Sequence, residues 1–236
     1  MKKNKAENFW LNLGFNIVAP SLLLIKGRAL FAWLWGDFSN VDLAVFVAAL
    51  LFPISYGVFD LLSRRKWNLF SIIGLASVLL TGGFGLMSLS KNWIIAKEAL
   101  VPLVLGAAVL ATARTKRPLA KMIILSESVF DVPKIESALD ARGSRGEFDA
   151  QMKSVTCIIA ASFLLSSVLN FALASYIFTS PAGTPEFNEQ LGKMTALSYP
   201  VIVLPTMAVF VFAMLRFFKA LDRLTGLKIE EIVLKK

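Results

Sequence analysis

The sequence predicts an all-α membrane protein, a polytopic bundle of about six transmembrane helices with both termini on the cytoplasmic side. Three observations lead to this fold class. Of the 236 residues, 56% are hydrophobic and only 17% are charged, whereas soluble domains carry about 25% charged residues. The charged residues lie between long apolar runs. The Lys and Arg residues are concentrated in alternate connections between those runs.

Each apolar run supplies one predicted span. About 20 mostly apolar residues are needed to cross roughly 30 Å of hydrocarbon, and a helix satisfies its own backbone hydrogen bonds there. The chain is therefore predicted to form a single membrane domain over residues 1–236. Its spans are predicted at residues 9–25, 42–62, 68–90, 93–113, 154–178 and 194–215.

The orientation follows from the positive charges. With a cytoplasmic N-terminus, 20 of the 25 Lys and Arg residues lie inside the cell. The remaining five lie outside, and they are Lys26, Arg28, Lys91, Lys97 and Lys193. Cytoplasmic segments of membrane proteins usually carry such an excess of Lys and Arg, so both termini are predicted to be cytoplasmic. All five tryptophans lie at predicted span ends, where indole rings prefer the headgroup layer.

Two cytoplasmic segments lie outside the spans. The loop at residues 119–153 begins with the apolar stretch Leu119–Ile124, which is predicted to form a short helix on the inner leaflet. The tail at residues 216–236 alternates apolar and charged residues, which predicts an amphipathic helix continuing from the sixth span. Either segment could bind a partner, or it could be no more than a solvated connector or a helix end.

The returning spans share a proline. It stands at Pro53, Pro102 and Pro200, and at each position it removes a backbone hydrogen bond and is predicted to kink the helix. Each of these spans forms a helical hairpin with the span before it, so the chain is predicted to contain repeated hairpins around a shared centre. The alternative is ordinary packing, because proline and glycine are common in membrane helices.

Polar residues inside the spans are the candidates for a functional site, because charge within a membrane is costly. Lys97 and Glu98 lie about one turn inside the fourth span. Neighbours in a helix point about 100° apart, so we expect these two side chains not to pair with each other. Asn170 lies midway along the fifth span, where its carboxamide must hydrogen-bond to another helix.

A shared depth, from the outer half to the middle of the bundle, predicts that five polar residues line one crevice. They are Asn16, Lys97, Glu98, Asn170 and Lys193. The alternative is structural: the two lysines would be interfacial anchors that reach the headgroups, and Asn170 would only join helices.

Several activities are not expected of this chain. It contains no histidine and a single cysteine, Cys157, which excludes Ser-His-Asp and Cys-His catalysis and an intramolecular disulfide. The sequence contains neither a phosphate-binding loop nor a metal-ligand cluster, so we expect no enzyme activity, no metal and no cofactor. The net charge of +9 is distributed around apolar runs, so nucleic acid is not an expected partner.

Several landmarks follow one another in a recognisable order along the chain. They are Pro53, Arg64-Arg65-Lys66, Thr81-Gly82-Gly83, Trp93, Ala96-Lys97-Glu98, Gly106, Lys116-Arg117-Pro118-Leu119 and Asn170. Their order resembles the intracellular septation protein A family of bacterial inner-membrane proteins, especially its longer six-span relatives. The resemblance covers most of the chain from Phe52 onward and is most specific between Trp93 and Leu119. The loop at residues 119–153 and the extended tail are not features of the shorter septation proteins.

The resemblance implies a protein of the bacterial plasma membrane that acts in envelope maintenance or division. Its partners would be membrane lipids and other inner-membrane proteins, and the family offers no catalytic residues to carry over. The alternative is a small permease or a lipid or solute carrier. A carrier predicts a polar cavity near the bilayer midplane, whereas a scaffold predicts a closed apolar bundle with polar groups at its ends.

Overall fold

The protein is described from a computed structural model, which describes residues 14–36, 38–64, 79–83, 86–87, 89–115, 118–126 and 129–234. These residues form helices and turns, together with one isolated antiparallel bridge between Phe130 and Val233. The prediction of an all-α chain is therefore confirmed for the described part.

The first two helices are joined by a short turn. A π-helical turn at Gly14–Val18 leads into α1 (Ala19–Trp35), which ends at Gly36 with a φ of 78° that glycine adopts readily. Helix α2 (Val41–Arg64) follows and contains Pro53 in its interior. Helix α1 continues beyond residue 25, the end of the predicted first span.

After the helical residues 79–83, the described residues in the middle of the chain form four helices. Pro102 lies inside the first of them. The third begins at Asp131, whose side chain accepts a hydrogen bond from the backbone N–H of Lys134 at 3.1 Å and so caps the helix. Their bounds are Lys91–Thr112 (α3), Leu119–Ile124 (α4), Val132–Ala141 (α5) and Arg145–Ile177 (α6).

The last part of the chain is one long helical stretch and a short final helix. Helix α7 (Pro185–Ser198) passes through a π-helical turn at Tyr199–Val203 into α8 (Leu204–Thr225), and α9 (Ile229–Ile232) follows. Both π turns precede a helix with proline in its first turn, Pro20 or Pro205. A proline ring clashes with the carbonyl four residues earlier in an α-helix, and a wider turn before it relieves that clash.

Five helical stretches in the described residues are long and apolar enough to cross a membrane. The predicted third span, residues 68–90, lies mostly outside the described residues. Six spans, their orientation, the repeated hairpins and the proline kinks therefore stay predictions. The five stretches are Gly14–Trp35, Val41–Phe59, Lys91–Thr112, Arg145–Ile177 and Pro185–Thr225.

The chain divides into two compact units. The first unit comprises Met1–Ala99 and Leu169–Val201, and in it α1 packs against α2 and α7. Small residues make these contacts close: a Cβ on Gly192 would lie 2.9 Å from the backbone oxygen of Ser21. The helix backbones of α1 and α7 therefore approach each other directly, as is common between membrane helices.

The second unit comprises Leu100–Val168 and Ile202–Lys236, and it has a core of large apolar side chains. Helices α4 and α5, the first part of α6 and the last part of α8 contribute to this core, and α9 closes it with Ile232. Its fully buried members include Ile124, Ile135, Leu139, Ile159, Phe217 and Leu221.

Candidate functional site

The most buried charge in the described residues belongs to Lys97 on α3. Its side chain is only 7% exposed, and its Nζ lies 2.7 Å from Oε1 of Glu98. The sequence prediction that these neighbours do not pair is wrong. The four-carbon stem of lysine is long and flexible enough to bring the ammonium group around the helix to the adjacent carboxylate.

A second partner of Lys97 comes from the helical residues 79–83. The Lys97 ammonium donates a hydrogen bond to Oγ1 of Thr81 at 2.6 Å, and Thr81 is itself buried. The adjacent Gly82 lies against α2, since a Cβ there would be 3.0 Å from Cδ1 of Leu50. Thr81 thus contacts α3 through its hydroxyl, and Gly82 contacts α2 through its backbone.

Sequence reasoning did not assign Thr81 to this site. In the sequence it stands out only as part of Thr81-Gly82-Gly83, and a hydroxyl in an apolar run usually bonds to its own helix. A buried lysine in a span does, however, demand more than one partner, because three ammonium hydrogens must be satisfied. From the sequence, this requirement could have predicted a polar residue close to Lys97.

The other predicted crevice residues lie in different surroundings. Lys193 is 53% exposed on α7 and pairs with Glu189 at 2.7 Å, one helical turn away. Asn16 lies in the first π turn and Asn170 lies on α6; both are half-buried and already engaged in an interaction. The structure brings Lys97 and Glu98 together with Thr81, and a single crevice containing all five residues stays a prediction.

A second polar cluster joins three helices of the first unit. Arg28 of α1 forms an ion pair with Asp42 of α2, with Nη1 2.7 Å from Oδ2. The side-chain amide of Asn188 on α7 donates to the backbone carbonyl of the same Asp42 at 2.8 Å. Asn188 is buried, so this hydrogen bond also satisfies a group that would be costly to leave without a partner. The cluster fixes α7 against α1 and α2.

The start of α7 was also missed by sequence reasoning, which began the sixth span at residue 194. The sequence does carry a start signal: Thr184 caps the helix by accepting a hydrogen bond from the N–H of Phe187 at 3.2 Å, and Pro185 follows in the first turn. Phe187 then stacks on Phe178, with ring centroids 5.4 Å apart. These contacts make residues 178–193 an ordered part of the first unit.

The surface of the second unit is held by ion pairs. Glu136 of α5 accepts a hydrogen bond from Lys121 of α4 at 2.8 Å and lies 3.7 Å from Arg145 of α6. The Lys121 hydrogen bond lowers the pKa of the Glu136 carboxyl below its ordinary value; partial burial opposes this, and the charges of Lys121 and Arg145 add to it. A third helix pair is joined by Arg223 and Glu147, 3.6 Å apart.

The tail contributes to this unit as well. Backbone N–H groups of Asp131 and Leu234 donate to the carbonyls of Ile232 and Val129, at 2.8 and 2.9 Å. The Lys134 ammonium donates to the carbonyl of Glu231 at 2.8 Å. The last described residues of the chain are therefore paired with the connection between α4 and α5. Whether α4 lies on a membrane surface stays a prediction; the helix buries Ala120 and Ile124 in the core and leaves Met122 exposed.

The described residues offer limited chemistry. No group of three or more His, Cys, Asp or Glu side chains in the described part of the chain is arranged to hold a metal ion. The pair of buried Lys97 and half-buried Glu98 can hold opposite charges in an apolar setting, and the Thr81 hydroxyl accepts a further hydrogen bond from the ammonium. Cys157 is exposed and unpaired.

Comparisons with known proteins give no assignment: no protein-family model, no curated protein and no solved structure matches this chain. The resemblance to the septation protein A family therefore stays an expectation from the sequence.

Proposed function

We propose that this chain is a non-enzymatic integral protein of the bacterial inner membrane, with six spans and both termini in the cytoplasm. In this proposal it serves envelope maintenance or division by binding other membrane proteins. The observation that carries the proposal is the packed, charged part of the second unit, formed by residues 118–126, 129–153 and 216–234.

The core of this region is larger than a simple connector requires. A solvated loop between two spans has no need to bury Ile135, Leu139 and Phe217, each of which is at most 1% exposed. Burying one such side chain contributes about 1.5–3 kcal/mol, so the region has the means to hold a defined surface. The predicted orientation gives that surface to the cytoplasm, where it can bind the cytoplasmic parts of other membrane proteins.

Two buried hydroxyls of α6 favour a scaffold over a carrier. Thr156 donates to the carbonyl of Met152 at 2.7 Å, and Ser162 donates to that of Ile159 at 2.7 Å. Each hydroxyl is thus satisfied within its own helix and needs no water-filled cavity. A scaffold requires such a closed interior, whereas a carrier requires polar groups that remain available to a substrate.

Complementation of a deletion strain tests the proposal. Ile135→Asp places a carboxylate in the core of the second unit, while Ile229→Asp makes the same change at a residue that is 40% exposed in the same unit. Lys97→Met removes the buried ammonium of α3 at nearly constant length. Cell length and the entry of an impermeant dye report division and envelope integrity, and immunoblots of membrane fractions report the amount of protein.

We expect Ile135→Asp to lose complementation, and Ile229→Asp and Lys97→Met to retain it, at equal protein amounts. Where Ile135→Asp is degraded, the milder Ile135→Ala takes its place. Full complementation by a chain with a disrupted second unit would contradict the scaffold proposal. Loss of complementation with Lys97→Met alone would favour a carrier instead.

A carrier is the second candidate, and the buried Lys97–Glu98 pair is the observation that favours it. Charged residues within a span usually mark a functional site. The purified chain in liposomes can be tested with a fluorophore-labelled phospholipid and an impermeant reductant that bleaches only the outer leaflet. Bleaching beyond the outer-leaflet fraction, abolished by Lys97→Met and retained by Lys193→Met, would establish lipid movement and refute the scaffold proposal.

A further inference from the structure

We propose that the second unit binds the phosphate headgroups of anionic phospholipids through four basic residues at one level of its helices. The four residues, named the basic belt here, are Arg114, Lys153, Arg216 and Lys219. All four are exposed. The inference deepens the proposed function, since it rests on α3, α6 and α8 entering a membrane, and it names a ligand class for that part of the chain.

Contacts between α6 and α8 place three belt residues together. The Ser144 hydroxyl donates to the carbonyl of Leu224 at 3.0 Å, and the rings of Phe148 and Phe217 lie 6.0 Å apart, so residue numbers rise on one helix as they fall on the other. The two helices are therefore antiparallel.

The level of Lys153 on α8 follows from the ion pair between Glu147 and Arg223. Six residues along α6 lead from Glu147 to Lys153, a rise of about 9 Å. The same distance back along α8 from Arg223 leads to Phe217, whereas the ring contact of Phe148 with Phe217 makes Lys153 level with Phe212. Lys153 therefore lies within about 6 Å of the level of Arg216 along the helix axis. Lys219 lies less than one turn from Arg216 on the same helix, at roughly 60° around its axis.

Contacts between α3 and α6 bring Arg114 to the same level. A Cβ on Gly106 would lie 3.0 Å from Cβ of Phe163 and 3.4 Å from the carbonyl oxygen of Ala160. The end of α3 and the start of α6 adjoin α4 and α5, which are joined by the Lys121–Glu136 ion pair, so α3 and α6 are antiparallel. Arg114 follows Gly106 by eight residues. Eight residues before residues 160–163 of α6 are residues 152–155, which include Lys153. Arg114 and Lys153 therefore lie at a similar level.

The belt differs from three of the basic residues further from the apolar helices. Lys121, Arg145 and Arg223 are paired with carboxylates at 2.8–3.6 Å. Within the described residues, by contrast, none of the four belt residues forms an ion pair. Their charges are thus left for an anion from outside the chain. Apolar side chains border the belt on the same helices: Leu110 is 51% exposed, Phe212 58% and Leu215 67%.

A ligand that fits this arrangement carries a negative head and an apolar tail. Phospholipids with a net negative charge have both, and Lys or Arg near an anionic leaflet gains about 1 kcal/mol each, or roughly a fivefold change in affinity. Free phosphate would meet the charge but would leave the apolar border without a partner. The belt therefore favours anionic over zwitterionic lipid.

The experiment compares two charge-matched variants of the full chain in neutral detergent. Arg216→Gln with Lys219→Gln removes two belt charges, and Arg142→Gln with Lys228→Gln removes two exposed charges elsewhere in the same unit. Native mass spectrometry measures the binding of phosphatidylglycerol and of phosphatidylcholine to each. Size-exclusion chromatography confirms that each variant is folded, and Lys153→Gln replaces the double belt variant if that variant aggregates.

We expect the wild type to prefer phosphatidylglycerol, and the belt variant to lose roughly 5- to 25-fold of that preference. The control variant keeps it, and inorganic phosphate at constant ionic strength does not displace the lipid. Equal losses in the two variants, no preference in the wild type, or displacement by inorganic phosphate would each overturn the proposal. The purified chain meets no cellular partner here, so this result is independent of the complementation result.

Discussion

One helix contact within each unit shows a different kind of packing. In the first unit, α1 and α7 meet at Gly192, where a Cβ would lie 2.9 Å from the backbone oxygen of Ser21. In the second unit, the contact between α6 and α8 is made by the aromatic rings of Phe148 and Phe217. At these two contacts, a glycine brings the backbones of α1 and α7 together, whereas large rings fill the space between α6 and α8.

The difference reflects the solvent expected around each contact. In lipid, apolar side chains gain little by leaving the solvent, so close backbone packing stabilises helix pairs. In water, burial of large apolar side chains is the main stabilising term. The second unit's core resembles that of a soluble domain, which supports the proposal that its packed end lies in an aqueous compartment.

The largest expected effect comes from removing a ring of that core. Phe217→Ala should lower the free energy of unfolding by about 3–5 kcal/mol, because Phe217 is 1% exposed and its loss leaves a cavity. Thermal unfolding in detergent, followed by circular dichroism, measures the change. Phe212→Ala on the same helix is the matched control, since Phe212 is 58% exposed and its removal should change stability little. Equal effects would show that the two rings share one environment.

The close contact of the first unit should be sensitive to a single methyl group. Gly192→Ala is expected to cost about 1–3 kcal/mol, because the new Cβ would meet the backbone of Ser21 and the side chains of Leu24 and Ile25. Gly57→Ala in α2 is the control, since no atom lies within 4 Å of a Cβ there. The same unfolding measurement applies. A tolerated Gly192→Ala would mean that α1 and α7 can separate at no cost, contrary to the close packing described.

The buried ion pair of α3 should depend on its hydroxyl partner. Thr81→Val removes the acceptor of the Lys97 ammonium at almost constant volume, and hydrogen bonds between membrane helices contribute about 0.6–1.7 kcal/mol. We expect a loss of that size in the wild type and a smaller loss when Lys97→Met is already present. Additive losses in this double-mutant cycle would show that the two side chains do not interact.

Much of the fold could be predicted because hydropathy reports the helices directly. Five of the six predicted spans correspond to long apolar helices. The remaining one, the third span at residues 68–90, lies mostly outside the described residues. The packing of residues 118–153 with the tail could not be predicted in the same way. In the sequence, apolar residues such as Ile135, Leu139 and Ile232 are interspersed with charged ones. The same pattern is expected of a surface that binds a partner and of a small core, so the sequence alone does not distinguish the two.

The candidate site shows a similar limit. Burial of a charge could be predicted for Lys97 from its position in a span, but its contacts could not. The pairing with Glu98 depends on the rotamers of a long side chain, and the hydrogen bond to Thr81 depends on how residues 79–83 pack on α3. Lys193, placed at a comparable depth by the sequence, is exposed because α7 begins earlier than the apolar run.

The smallest expected effect tests the aqueous assignment of the second unit through pH. The Lys121 hydrogen bond keeps the pKa of Glu136 below its ordinary value, so the contribution of Glu136 to stability is complete above the unfolded-state pKa of about 4.3 and is lost as the pH falls through the lower folded-state pKa. Glu136 is 42% exposed, which limits the contribution to about 0.2–1 kcal/mol. Unfolding of wild type and Glu136→Gln at pH 7 and pH 3 should therefore differ at pH 7 and converge at pH 3. High salt should weaken the difference, because ions screen a pair that faces water. A difference that persists at pH 3 would show that Glu136 acts through its packing, not through its charge.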